Sequence, residues 1–169
     1  MSRERPLRVV IDAQLVLRMF VVPLDRPDYE PPTRILLRHV GTPQLSWLWT
    51  PEILEDYRDG AAVMVSEPRF RARAEFDHQG FELLQGLFYQ SPPVEVTAGT
   101  IAAARSRISQ SARVRARDTD DAIYLACAVD GRADFVASND QSILSLGAEY
   151  DSVRIADVRQ LREELLRLD

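Results

Sequence analysis

Five short apolar runs alternate with stretches of helical periodicity, and that alternation limits the folds open to this chain. "LRVVID" (7–12), "QLSWLW" (44–49), "PPVEVT" (92–97), "ADFVAS" (133–138) and "YDSVRIA" (150–156) carry the β-branched and aromatic residues of short strands. Strands separated by helices pair mainly in parallel, with the helices covering both sheet faces. The expectation is a three-layer α/β/α sandwich around a central parallel sheet of about five strands. At 169 residues the chain can build one hydrophobic core and is short for two. We therefore expect a single domain over residues 1–169.

The helical stretches are "AQLVLRMFV" after strand one, then, beyond a Pro-rich loop at 23–32, "TRILLRHVG" with Thr33 as N-cap and Gly41 closing it. Thr50 caps a helix with Pro51 in its first turn, which suits a residue lacking an N–H; it runs to Ser66. Residues 67–88 read as two helices breaking near Gly80. "GTIAAARSRISQ" is weakly helical. "TDDAIYLACAVDG" (119–131) has acids in its first turn and Gly131 just past its end. A short helix follows strand four, and "DVRQLREELLRLD" is an amphipathic last helix.

In parallel sheets of this kind ligands bind beyond the carboxyl ends of the strands, where strand order reverses. Asp12 ends strand one on that rim and Asp140 follows strand four on the same rim. Two further acids are expected beside them. One is Glu55 or Asp56 on the helix after strand two, and the other is Asp121 or Asp120 at the start of the helix before strand four. Asp56 lies nearer than Glu55 to the apolar arc of Ile53, Leu54, Tyr57, Ala61 and Val65, and so is preferred. Clustered carboxylates repel unless a cation sits between them, and hard divalent ions such as Mg²⁺ or Mn²⁺ take oxygen ligands. Each acid taken alone has a plainer role as a helix cap or a partner of the helix dipole.

Other chemistry is limited by what the chain lacks. All 21 basic residues are Arg, which removes every mechanism that needs a lysine. His39 and His78 fall on predicted surface helices and match no metal spacing. A net charge of −5 argues against indiscriminate coating of nucleic acid. Arg105, Arg107, Arg113, Arg115 and Arg117 nevertheless form a strip leading to the third acid. Arg113, Arg115 and Arg117 are candidates for phosphate-backbone contacts, the alternative being a solvated loop. Trp47 and Trp49 read as core packing, and the one cysteine, Cys127, as buried and inert. No apolar run is long enough for a membrane span, and the charged N-terminus lacks the apolar stretch of a secretory signal, so a cytoplasmic protein is expected.

"VVIDAQLVL", "TPEILEDYRDG" and "DTDDAIYLACAVDGRADFVASNDQSIL" together resemble the PIN-domain family of metal-dependent ribonucleases. The nearest branch is the VapC-like toxins of toxin–antitoxin pairs. The resemblance runs from about residue 8 to 146. It implies Asp12, Asp56, Asp121 and Asp140 as the metal-binding and catalytic acids, with Mg²⁺ or Mn²⁺ as cofactor. Ser138 matches a small hydroxyl that the family often has two residues before its last acid. It also implies an RNA substrate, a homodimer and a cognate antitoxin. Ala13 and Gln14 stand where the family commonly has Thr and Asn, and Asp56 stands where it usually has Glu. These departures motivate an alternative reading: a catalytically weakened PIN-like module that binds RNA or a protein partner without cleavage. A phosphoacceptor or phosphatase domain is a third reading, disfavoured because Gln14 stands where a second acid would follow and no Lys is present.

Overall fold

The computed structural model describes residues 5–111 and 121–168. Its main sheet has five strands in the order β3-β1-β5-β7-β6: β1 (Leu7–Ile11), β3 (Leu45–Trp47), β5 (Phe135–Ala137), β6 (Glu149–Tyr150) and β7 (Val153–Ala156). All pairings are parallel except that of β6 with β7. The chain moves from β1 to β3 on one side and later to β5 on the other. Strand order therefore reverses between β1 and β5, and a crevice opens above their carboxyl ends. Val9, Val10 and Ile11 have no exposed surface, as a strand covered on both faces requires.

Helices fill both faces. They are α1 (Ala13–Arg18), α2 (Leu36–His39), α3 (Pro51–Ser66), α4 (Pro68–Arg71), α5 (His78–Phe88), α6 (Ala98–Ser109), α7 (Ala122–Asp130), α8 (Gln141–Leu144) and α9 (Val158–Leu166). Thr50 caps α3 by accepting from the Ile53 amide at 3.2 Å, with Pro51 at the start. Asp157 and Gln160 form a reciprocal capping box on α9. Tyr57, fully buried on α3, donates from its hydroxyl to the Ile11 carbonyl at 2.5 Å and so ties α3 to the end of β1.

Several local expectations are corrected. The break in 67–88 falls at 72–77 rather than at Gly80, because β4 (Ala74–Phe76) pairs antiparallel with β2 (Val21–Pro23) in a second, two-stranded sheet. Gly80 instead sits in the first turn of α5, where its amide reaches the capping Asp77 at 2.9 Å. Residues 92–97 form no strand. Two prolines remove donors there, and the segment is held by single contacts such as the Val94 amide to the Trp49 carbonyl at 2.8 Å. Thr33 is not a cap. The turn begins as a 3₁₀ helix at Pro32, leaving the Thr33 hydroxyl buried within it. The strand expected at 150–156 is two, joined by a turn in which Asp151 and Ser152 both have positive φ, 46° and 67°. His39 is buried at the end of α2, whereas His78 is exposed as expected. Trp47 and Trp49 are buried, edge-on to Phe88 and Tyr89 respectively, and Cys127 lies in the core with its thiol pushed up to about 12 by burial.

Candidate active site

The crevice between β1 and β5 receives two of its acids from just beyond the strand ends. Asp12 follows Ile11 without a spacer, and its amide donates to the Ala137 carbonyl of β5 at 3.0 Å. Its side chain is buried at 4% exposure. One carboxylate oxygen, Oδ1, accepts from the Leu15 amide at 3.0 Å and caps α1; the other, Oδ2, accepts from the Ser138 hydroxyl. Asp140 caps α8 in the same way, with Oδ1 accepting from the Ser142 amide at 2.8 Å. Capping and site residence thus coexist, since a carboxylate has two oxygens and a cap requires one.

The other two acids reach the crevice from α3 and from the start of α7. Asp56 and Asp121 line, with Asp12 and Asp140, one cavity of about 260 Å³; its remaining lining residues are Ala13, Gln14, Leu17, Gly60 and Tyr124. Among the described residues this lining contains no basic side chain. Asp56 accepts a hydrogen bond from the Tyr124 hydroxyl, and Asp121 one from Ser142, whose own hydroxyl is buried. Glu55, the alternative to Asp56, is exposed and lines neither this cavity nor the one beside it. Asp120, Arg113, Arg115 and Arg117 lie outside the described residues.

Two positions depart from the sequence expectation in an informative way. Gln14 extends over the site, with its amide nitrogen 3.4 Å from Asp140 Oδ2, so the longer side chain still touches an acid. Ser138 and Ser142 flank Asp140 at spacing two on either side. Ser138 also accepts from the Asp140 amide at 2.8 Å. The result is a continuous hydrogen-bonded path from Asp12 through Ser138, Asp140 and Ser142 to Asp121. Ser142 and Tyr124 are not singled out by sequence reasoning. The available signal is the alternation Ser138, Asp140, Ser142 after a buried strand.

Burial and mutual repulsion shape the electrostatics. Asp121 titrates near 6 rather than 3.8, first because burial disfavours its charge and then because Asp140, Asp12 and Asp56 repel it; the Ser142 hydrogen bond opposes both. Asp12 is raised for the same leading reason, with Asp140 adding repulsion and the Ser138 and Leu15 donors opposing it. Burial first, and then the nearby Tyr57 and Asp56, push the Tyr124 hydroxyl well above its ordinary range, so it stays a donor. Carboxylate oxygens lining a cavity that, among the described residues, has no basic side chain suit a hard divalent cation. The side chains as they stand do not close around one: among the described residues no three Asp, Glu, His or Cys groups are near enough to share an ion. Each acid is instead held back by a protein donor.

The acidic cavity thus lies at the switch point of a mainly parallel α/β sheet. The PIN-domain family model matches residues 8–142, more than half of the chain, and the chain belongs to that family, whose members are generally nucleases. No curated protein and no solved structure matches it significantly. Among the described residues no helix is long and apolar enough to cross a membrane.

Proposed function

We propose that this protein is a metal-dependent endoribonuclease and the toxin of a toxin–antitoxin pair, acting as a single PIN-like domain over residues 1–169. The observation that supports this reading is the gathering of Asp12, Asp56, Asp121 and Asp140 from four separate chain positions around one cavity that, among the described residues, has no basic side chain in its lining. These four residues would hold Mg²⁺ or Mn²⁺. A bound ion of this kind supplies an activated water and offsets charge on the phosphodiester. The chain's own contribution is orientation: Ser138 and Ser142 aim Asp12 and Asp121, Tyr124 holds Asp56, and Tyr57 fixes the strand end that carries Asp12. The family resemblance adds a homodimer, an antitoxin protein that occludes the site, and a cytoplasmic setting.

A second reading is favoured by a specific observation. Among the described residues no three of the acids are near enough to share an ion as they stand, and Ala13 stands beside Asp12 where the resemblance implies a hydroxyl residue. A PIN-like module that binds RNA or a protein without cutting fits those facts. Incubation of purified protein with end-labelled single-stranded RNA separates the two. The nuclease reading predicts cleavage with Mn²⁺ or Mg²⁺, none with EDTA, and none from Asp140→Asn. Metal-independent cleavage, or equal cleavage by Asp140→Asn, contradicts it; intact RNA under all conditions favours the binding module.

A further inference from the structure

The carboxylate cavity does not end at its acids. A second cavity of about 320 Å³ adjoins it and shares Asp56 and Asp121 as lining residues. The rest of its wall is Glu52 from α3, Ile101 and Arg105 from α6, and Ile123 from α7. Resting on the nuclease reading above, we propose that this second cavity is a subsite for single-stranded nucleic acid. In it Arg105 holds a backbone phosphate neighbouring the one at the carboxylates, and Ile101 and Ile123 take the apolar face of a sugar or base.

Three features carry the assignment. The first is continuity: two residues of the acidic site are also walls of the second cavity, so a chain leaving one enters the other. Both volumes are near the lower end of ligand sites, roughly 300–1,000 Å³, a scale that suits successive units of a strand rather than a paired duplex.

The second is charge. Arg105 is the one basic side chain lining either cavity among the described residues. It is exposed and, among those residues, is engaged in no hydrogen bond or ion pair. A guanidinium unpaired among the described residues, beside an acidic site in a chain of net charge −5, offers a polyanion a counter-charge where the carboxylates would repel it. The third is placement. Ala104 and Ile108 on α6 are fully buried, so the Arg105 backbone is anchored while its side chain is free to meet a ligand. Half-buried Ile101 and Ile123 supply the apolar surface that unpaired bases and sugars require and that a bare phosphate does not.

The test is fluorescence anisotropy with a labelled single-stranded RNA 12-mer in Ca²⁺, over a series of NaCl concentrations. It compares wild type, Arg105→Ala, Arg105→Lys and, as an exposed control on α9, Arg162→Ala. Loss of one charge-assisted phosphate contact weakens Arg105→Ala by about tenfold. It also reduces the slope of log K against log salt by about 0.7. Arg105→Lys keeps the slope and part of the affinity, and Arg162→Ala matches wild type. Wild-type affinity and slope in Arg105→Ala, with cleavage retained, overturn the subsite and leave the nuclease reading standing. A wild-type protein that neither binds nor cleaves the RNA overturns both.

Discussion

Replacing Asp121 by Asn should make the metal-free protein more stable at neutral pH, and the size of the gain follows from the site. The Asp121 carboxyl titrates near 6 instead of 3.8, so its ionised form is disfavoured in the folded chain. Holding that charge at pH 7.5 costs about 3 kcal/mol, or roughly 2 kcal/mol once solvent screening of a half-buried group is counted. The folded state binds this proton more tightly than the unfolded state. Stability from this group is therefore present below about pH 4 and is lost as pH rises through 6. Asn keeps the oxygen that accepts from Ser142 but carries no charge, so the variant lacks that loss. In EDTA at pH 7.5 the variant should melt about 4–8 °C higher than wild type, and the advantage should shrink to a small fraction by about pH 4. Mn²⁺ should narrow the gap by stabilising wild type more than the variant. Thermal melts followed by circular dichroism across pH 4–8 measure this. A variant no more stable than wild type at pH 7.5, or a gain undiminished at pH 4, would refute the reasoning.

Other perturbations test how the site is supported. Tyr57→Phe leaves the buried Ile11 carbonyl without its hydroxyl donor and should cost about 1–3 kcal/mol in urea unfolding, with reduced Mn²⁺ affinity because Asp12 is the next residue. Gly131→Ala should destabilise by about 1–3 kcal/mol in the same assay. A Cβ there would stand 2.6 Å from the Cys127 carbonyl oxygen and 2.8 Å from Leu48, and a backbone atom cannot step aside as a flexible side chain can. Ser142→Ala removes the donor to Asp121 and should raise that acid's pKa further, measured by NMR titration of its carboxyl carbon. Ser142→Thr should restore it.

The parts of this architecture that were legible in the sequence are those where local chemistry and global topology agree. Asp12 stands out because an acid directly ends a run of β-branched residues, and the strand–helix alternation places that end on a ligand-binding rim. Thr50 and Pro51 mark the start of α3 because both residues suit the same helix terminus. The β2–β4 pair was not legible, because three residues such as Ala74–Phe76 show too little alternation to stand apart from a surrounding helical pattern; their pairing is set by contact with Val21–Pro23, more than fifty positions away. Residues 92–97 alternate like a strand but find no ladder partner, which alternation alone cannot reveal. Within the site, Asp12 was readable because it breaks an apolar run, whereas Asp56 and Asp121 each had an acidic neighbour, Glu55 and Asp120, as an alternative. Ser142 and Tyr124 were not readable, since serine after a helix cap and tyrosine in an apolar helix look like ordinary structure until the fold brings them to Asp121 and Asp56.

The proposed function stands on these carboxylates forming a cation site. Calorimetric titration of Mn²⁺ into metal-free protein, with Asp12→Asn and Asp140→Asn alongside, addresses it most directly. Saturable binding to wild type is expected, weakened by about tenfold or more in both variants. Identical isotherms for all three proteins would contradict that site and leave Asp12 and Asp140 as helix caps alone.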